Sequence, residues 1–490
     1  MSQIINKQTT SQTITRGLSW VLLQKGSLQG ISLITTIILA RLLTPSDFGL
    51  VALTAIFIQF SHFFIDQGMG AAVVQRKDLS PEHINAVFWI NIGMSMILLL
   101  AGYFLAVPIS WMFNEPAFVT VFRVLLLNLP LSAVNLVQRS LIQRNMDFRS
   151  LTMPTMISVA LGAIIGIAMA LSGMGVWSLV AQSLVINAAT IPLYWYFSKW
   201  RPKMSFSIVH AREIFSFSAY VMCTSLLYLV NKKVDQLLIG FFLGTTALGI
   251  YSIALRLAEN IDNTVNQVVG TVFFPVMSNK QENLEAFHDV LHKAFRVVGV
   301  ITFPVYVGLS LVAADLLPLL YGAKWIEGVP VMQVMSFFFL YQAMLRVNNI
   351  AITAAGQPKI ILWLHILSTF IQVLVIYFAA QIGLLWVALA FVLRAYILFP
   401  LYLIAMQRTV SFRLKSFFAS IYPPLGGVCL MAVATISFQW LLPSLFTGRL
   451  TTLIATVLIG AVSYLLGMLI FAPGWCCAMV RNAALFVRTR

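Results

Sequence analysis

Charge is what this 490-residue chain has least of: 9% of its residues are charged and 60% are hydrophobic. A water-soluble domain normally carries about 25% charged residues, so most of this surface faces something other than water. Acid is scarcer than base, with 15 Asp and Glu against 31 Lys and Arg. Cysteine is rare as well. Cys223, Cys429, Cys476 and Cys477 lie in or beside apolar segments, with neither metal-ligand spacing nor a disulfide framework, so no metal site is expected. The first fifteen residues are polar, rich in Ser, Thr and Gln, and lack the short apolar core and cleavage site of a signal peptide. A phosphate-cradling Gly-rich loop and an ATPase motif are also missing. No cofactor is therefore expected, and ATP cannot drive this chain by itself.

What is present is apolar sequence in repeated runs, each long enough to cross a hydrocarbon core of about 30 Å. Polar breaks place spans near 17–41, 46–68, 84–110, 117–138, 151–172, 174–197 and 218–241. The remainder fall near 248–274, 294–314, 329–354, 359–380, 383–406, 415–440 and 450–473. The expected fold class is therefore an all-α integral membrane protein of about 14 transmembrane helices.

The net charge of +16 does not indicate nucleic acid, because the basic residues alternate between sides of the spans. With the N-terminus inside, the inner segments hold about 21 Lys and Arg, among them Arg76, Lys77, Arg139, Arg144, Lys199, Arg201, Lys293 and Arg408. The outer segments hold Arg41, Lys324 and Arg449. That asymmetry predicts both termini in the cytoplasm and an even number of spans, and a shift of one helix would destroy it. The longest inner connection, 278–293, leads into Leu284, Phe287, Leu291, Ala294, Phe295 and Val298 at helical spacing. Two readings stay open there: an amphipathic helix on the membrane surface, or an extension of the ninth span.

Two segments echo each other. Ala40-Arg41-Leu42-Leu43-Thr44-Pro45-Ser46-Asp47-Phe48-Gly49-Leu50 follows the first span, and Gly240-Phe241-Phe242-Leu243-Gly244-Thr245-Thr246-Ala247-Leu248-Gly249-Ile250 follows the seventh. In each, a helix ends, a tight turn follows, and a bulky residue plus Gly opens the next helix. A second echo pairs Gly175-Val176-Trp177 with Leu384-Leu385-Trp386. Together they predict two six-helix lobes, 1–200 and 201–410, and a C-terminal helix pair in 411–490, with substrate between the lobes.

Ionisable residues inside the spans are the candidate site. Lys25, Arg123, Lys232, Lys233, Arg256, Arg346 and Arg394 are cationic; Asp235, Glu259 and Asp262 are acidic. Each costs roughly 2.5–3.5 kcal/mol at mid-span, so each must pair or face a hydrated cavity. Seven cations exceed three acids, which leaves positive charge for an anionic ligand. Tyr228, Lys232, Asp235 and Gln236 share one helical face, and Arg256, Glu259, Asn260, Asn263 and Gln267 form a polar stripe. Lys232 with Asp235, and Arg256 with Glu259, are spaced for i, i+3 neutralisation. The expected substrate-binding set is Lys25, Lys232, Lys233, Arg256, Arg346 and Arg394, with Asp235, Glu259 and Asp262 as ion- or proton-coupling candidates. Arg123 lies near the outer end of its span, where snorkelling competes with a cavity role. His62 and His365 read as satisfied core residues.

Short markers in order along the chain carry a family resemblance: Phe48-Gly49, Asp66-Gln67-Gly68, Val74-Gln75-Arg76-Lys77, Phe88-Trp89-Ile90-Asn91, Phe273-Phe274-Pro275 and Leu320-Tyr321-Gly322-Ala323-Lys324-Trp325. In these the chain resembles the Wzx-like polysaccharide transporters of the MOP superfamily, in particular the colanic-acid exporter type. The resemblance implies six-helix lobes around a cavity that opens alternately to the two sides. It also implies export of a polyprenyl-pyrophosphate-linked oligosaccharide across the bacterial inner membrane for surface polysaccharide assembly. The implied partners are that anionic lipid-linked glycan, membrane lipid and other polysaccharide-assembly proteins, with no nucleic acid. A drug exporter of the same superfamily is the main alternative, and surplus positive charge argues against cationic drugs. A glycan polymerase or ligase needs a large outer loop for its acids, whereas Asp47, Glu115, Asp315 and Glu327 are scattered over short ones. The chain therefore reads as a transporter and not an enzyme.

Overall fold

The computed structural model describes residues 26–66, 68–76, 78–204, 208–441 and 448–474. Lys25 and the start of the expected first span lie outside them. Among the described residues every regular element is helical: α1 (Gly26–Leu42), α2 (Pro45–Asp66), α3 (Met69–Gln75), α4 (Pro81–Phe113), α5 (Ala117–Leu125), α6 (Asn128–Arg144), α7 (Phe148–Leu171) and α8 (Trp177–Ser198). After them come α9 (Ile208–Ser278), α10 (Leu284–Tyr321), a 3-10 turn at Ala323–Trp325, α11 (Gly328–Ala354), α12 (Pro358–Ala380), α13 (Leu384–Val410), α14 (Leu414–Leu441) and α15 (Arg449–Phe471).

Eleven segments among the described residues are long and apolar enough to cross a membrane. The difference from 14 has three sources. The described part of the first span, α1, is short; α8 coincides with the expected span 174–197 but is not one of the eleven; and two expected spans run together in α9. Within α9 the backbone breaks at Gly244, with φ 80° and ψ −180°. Side chains avoid that conformation and glycine does not, so the turn between the expected seventh and eighth spans sits there.

Two compact units form, one ending at Ser252 and one beginning at Ile253, so their boundary falls inside α9. In the first unit α7 packs along α8, with α6 against α8 and α4 against α6. Gly162 and Gly166 sit one turn apart on α7 and face Gln182 and Ile186 of α8; this small-residue spacing lets two backbones approach closely. Polar side chains stitch α6 to α8: Asn128 donates to the Ser183 hydroxyl at 3.1 Å, Asn187 donates to Asn128 at 2.8 Å, and Asn135 donates to Thr190 at 2.8 Å. At the other end of α4, the Ser80–His83 capping box and Pro81 start the helix. The Trp89 indole then donates to the Lys203 carbonyl at 2.9 Å, which fastens the basic segment after α8.

In the second unit α10 packs on α11 and α14, α11 on α13, α12 on α13, and α14 on α15. The apolar face anticipated before the ninth span is an extension of α10, capped by Asn283. Phe287, Leu291, Ala294, Phe295 and Val298 are buried against protein, in one core with Val410, Phe412 and Phe417. Leu284 at its start is exposed, and the rest of the stripe is covered by its own chain. The C-terminal pair belongs to the same core: Tyr464 donates to the Val300 carbonyl at 2.9 Å, and a Cβ at Gly467 would lie 2.7 Å from Gly427 Cα. Gly467→Leu is expected to push α15 off α14 and lower stability by about 1–3 kcal/mol. An unchanged melting temperature of the purified variant would show that this close crossing is dispensable.

Candidate functional site

The two echoed segments meet in the first unit. The start of α2 lies against the turn of α9 so closely that a Cβ on Gly49 would overlap the Thr245 carbonyl oxygen, and one on Gly249 would overlap the Pro45 carbonyl oxygen. The contact is reciprocal, each glycine facing the other segment's backbone. Polar groups surround it: the Thr245 hydroxyl donates to Glu115 Oε2 at 2.8 Å, and Ser46 Oγ is 3.4 Å from Thr245 Oγ1. Asp47 is used locally, accepting from the Thr44 amide at 2.9 Å and hydroxyl at 2.7 Å. The echo pairs the two segments by sequence without fixing that they touch, and from sequence Glu115 is one of several acids on short loops. The glycine at the same place in both echoes was the available signal.

Along the first arm of α9, Lys232 is exposed and Asp235 is 5% exposed. Asp235 accepts the Tyr251 hydroxyl at 2.7 Å, and Lys233 Nζ donates to Gln236 Oε1 at 2.9 Å. The side chain of Tyr228 lies outside the described residues. The second arm carries the expected stripe: Arg256 and Asn263 are exposed, and Glu259, Asn260 and Gln267 are half-buried. Arg256 and Glu259 make no ion pair among the described residues. An exposed arginine on a membrane-spanning helix is costly in lipid and cheap in water, so this face suits a hydrated cavity.

Asp262 points the other way and is buried. Its carboxylate faces Arg346 of α11, whose Nη2 reaches Oδ2 at 2.8 Å and Oδ1 at 3.1 Å. Gln342, one helical turn earlier on α11, approaches Asp262 at 3.5 Å. Arg394 of α13 is 7% exposed. Its Nη1 donates to the carbonyl and hydroxyl of Ser368 on α12, each at 2.9 Å, and its guanidinium lies over Phe391, 5.0 Å from the ring centroid.

Arg123 stacks on Tyr103 at 4.0 Å and donates to that residue's carbonyl at 3.3 Å, an arrangement that ties α5 to α4. The histidines are engaged: His62 Nδ1 is 3.1 Å from Ser132 Oγ, and His365 Nε2 is 3.4 Å from Asn349. Among the described residues no group of three or more His, Cys, Asp or Glu is placed to hold a metal. The expected residues therefore separate: in the first unit Lys232 is exposed, and in the second Arg256 is exposed, Asp262 and Arg346 form a buried ion pair, and Arg394 is buried between α12 and α13.

A family described as polysaccharide biosynthesis protein matches residues 38–330. The chain is 29% identical over 322 residues to the succinoglycan biosynthesis transport protein ExoT of Rhizobium meliloti (strain 1021), covering 66% of this chain and 65% of that protein. It thus spans just under two thirds of that relative's length. It is 24% identical over 380 residues, 77% of each chain, to the lipopolysaccharide biosynthesis protein WzxC of Escherichia coli (strain K12). Over 419 residues it is 23% identical to the teichuronic acid biosynthesis protein TuaB of Bacillus subtilis (strain 168), covering 84% and 86%. Its fold is similar to that of the lipid II flippase MurJ in an inward closed conformation, with TM-score 0.74 at 16% identity over 93% of this chain and 99% of that one. An inward-facing multidrug resistance MATE family transporter of the MOP superfamily aligns with TM-score 0.55 at 15% identity, over 79% and 94%.

Proposed function

Because this chain belongs to the polysaccharide biosynthesis protein family, we propose that it flips a polyprenyl-pyrophosphate-linked oligosaccharide from the cytoplasmic to the periplasmic leaflet of the bacterial inner membrane. It is a multi-pass membrane transporter related to the polysaccharide-export flippases of the MOP superfamily. The finer reading adds 14 spans, cytoplasmic termini, and two six-helix lobes with a C-terminal pair around a cavity that opens alternately to either side. The cargo then serves surface polysaccharide assembly.

One observation carries the choice of an anionic cargo: exposed cations stand on a membrane-spanning helix while two of its three acids, Asp235 and Asp262, are engaged by other groups. Lys232 and Arg256 are exposed on α9, whereas Asp235 holds Tyr251 and Asp262 holds Arg346. Arginine suits a pyrophosphate because it stays charged in a dry site and offers paired donors. Lys232 and Arg256 make first contact, with Lys25, Lys233, Arg346 and Arg394 completing the cationic set. Glu259, together with Asp235 and Asp262, supplies ion or proton coupling. The fold likeness to a multidrug transporter keeps the exporter reading as the second one, and the same cations oppose a cationic drug.

Deletion of the gene tests the reading directly. Lipid-linked glycan is expected to accumulate on the cytoplasmic face, with surface polymer lost. Normal intermediates on both faces together with raised drug sensitivity would replace this reading with the exporter. In a complemented strain, Arg256→Ala is expected to lower polymer export at least tenfold at normal protein level, and Lys232→Ala to lower it severalfold. Intact export in both variants would remove these residues from the binding set.

A further inference from the structure

Arg346 is held in an unusual way for an ion pair inside a membrane protein. One nitrogen, Nη2, serves both oxygens of Asp262. The second terminal nitrogen makes only a long contact, 3.5 Å to the Asp262 carbonyl, and Nε makes no hydrogen bond among the described residues. The parallel two-nitrogen pairing that guanidinium and carboxylate prefer is therefore unused. The pair is nonetheless buried, with side chains 11% and 9% exposed.

A second group beside it is unsatisfied. The hydroxyl of Tyr306, on α10, is buried and has no hydrogen-bond partner among the described residues. The Tyr306 ring stacks on Phe339, 5.8 Å between centroids, on the same helix that carries Arg346. A buried hydroxyl without an acceptor is costly and marks a place where an oxygen ligand would be welcome. Three helices thus bring together a half-used guanidinium, an idle phenol and a carboxylate. Arg346 stands 18 residues into α11, which is ~27 Å along the helix. In the orientation set by the basic loops, that depth lies toward the cytoplasmic side, where cargo is loaded.

We propose that Asp262 is a resident counter-anion that the phosphoryl oxygens of the cargo displace from Arg346, with the Tyr306 hydroxyl donating to the same group. This rests on the anionic-cargo reading above. The physical need is clear from the empty state. A cavity that waits unloaded between cycles cannot leave a buried guanidinium bare, because an uncompensated buried charge is strongly destabilising. An internal carboxylate neutralises it. The same carboxylate then competes with cargo, which weakens ground-state binding and returns to Arg346 as cargo leaves. Asp262 is on this account a specificity-setting residue that opposes binding, and Tyr306 one that assists it.

The test is binding of farnesyl pyrophosphate to the purified full-length protein in neutral detergent, by calorimetry. Asp262→Asn is expected to bind about three- to tenfold tighter than the natural protein, and Arg346→Ala at least tenfold weaker. The double variant should match Arg346→Ala, since Asp262 affects cargo binding only through that side chain. Tyr306→Phe, which leaves the ion pair intact, should bind about threefold weaker. A purely structural ion pair predicts no gain of affinity in any variant. Unchanged or weaker binding by folded Asp262→Asn overturns the proposal, while weaker binding by Arg256→Ala in the same series would leave the anionic-cargo reading standing. Should Asp262→Asn fail to fold, unchanged binding by Tyr306→Phe overturns it instead. Short-chain phosphatidylglycerol is the second probe. If Asp262→Asn tightens binding of that lipid and not of farnesyl pyrophosphate, the site takes a headgroup and the proposal falls. If no variant and not the natural protein binds the pyrophosphate, the anionic-cargo reading fails with it.

Discussion

Gly49→Val is expected to abolish export, and Gly249→Val to do the same. Neither site has room for a first side-chain carbon, since each would run into a backbone carbonyl of the opposite segment. A backbone obstacle cannot rotate away as a side chain can, so the start of α2 and the turn of α9 must separate. Overpacking a core typically costs about 1–3 kcal/mol, and a clash with fixed backbone lies at the upper end of that range or beyond it. Separation also breaks the polar contacts around the crossing, in which Thr245 joins Glu115 and approaches Ser46. Loss of surface polymer by at least a hundredfold is the expected readout at normal membrane abundance.

Two further features make that prediction specific. Gly49 and Gly249 guard one contact, so the double valine variant should be no worse than either single one, whereas independent sites would add. Cysteines at positions 46 and 245 report the contact itself. Ser46→Cys/Thr245→Cys should cross-link under mild oxidation, because the two hydroxyls are 3.4 Å apart, and adding Gly49→Val should prevent it. Polymer export and cross-linking that both survive Gly49→Val would show that the close approach plays no part in transport.

Arg394→Met is the second variant with a large expected effect, and it separates two roles for a buried arginine. Arg394 is held by the carbonyl and hydroxyl of Ser368 and lies over Phe391. If it only fastened α13 to α12, an apolar side chain of similar length would leave export largely intact, because the packing is kept and only the contacts to Ser368 are lost. The expected result is instead a protein that inserts and melts normally but exports at below a hundredth of the natural rate. A hundredfold loss corresponds to about 2.7 kcal/mol withdrawn from the transport barrier. Normal export in a well-folded Arg394→Met protein would remove Arg394 from the cationic set and leave it a helix tie.

Much of the architecture was legible in the order of residues. Long apolar runs between polar breaks locate membrane-spanning helices because lipid offers no partners to an unpaired backbone, so the segment must satisfy its own hydrogen bonds. The placement of α8 over the expected span 174–197, and of α10 to α15 over the later ones, follows from the same rule. The turn between the expected seventh and eighth spans was legible in the second echoed segment, 240–250, and α9 turns there at Gly244. That turn depends on one residue, Gly244, whose positive φ of 80° glycine adopts without strain.

The candidate site was legible in kind and not in arrangement. Sequence alone determined that seven cations and three acids lie inside apolar segments, and that base outweighs acid there. Solvation physics makes that inventory meaningful wherever the groups end up. It did not determine which charges meet. Spacing along α9 offered Lys232 to Asp235 and Arg256 to Glu259, yet Asp235 holds Tyr251 and the buried carboxylate of Asp262 finds Arg346, 84 residues away. The same holds for Gly49 and Gly249, matched by sequence and brought together by the packing of α2 on the turn of α9. Local spacing governs only neighbours on one helix, whereas a charge or a glycine on a packed face is decided by whichever helix lies opposite. That choice belongs to the tertiary structure, because only there do faces from distant segments compete for the same buried space.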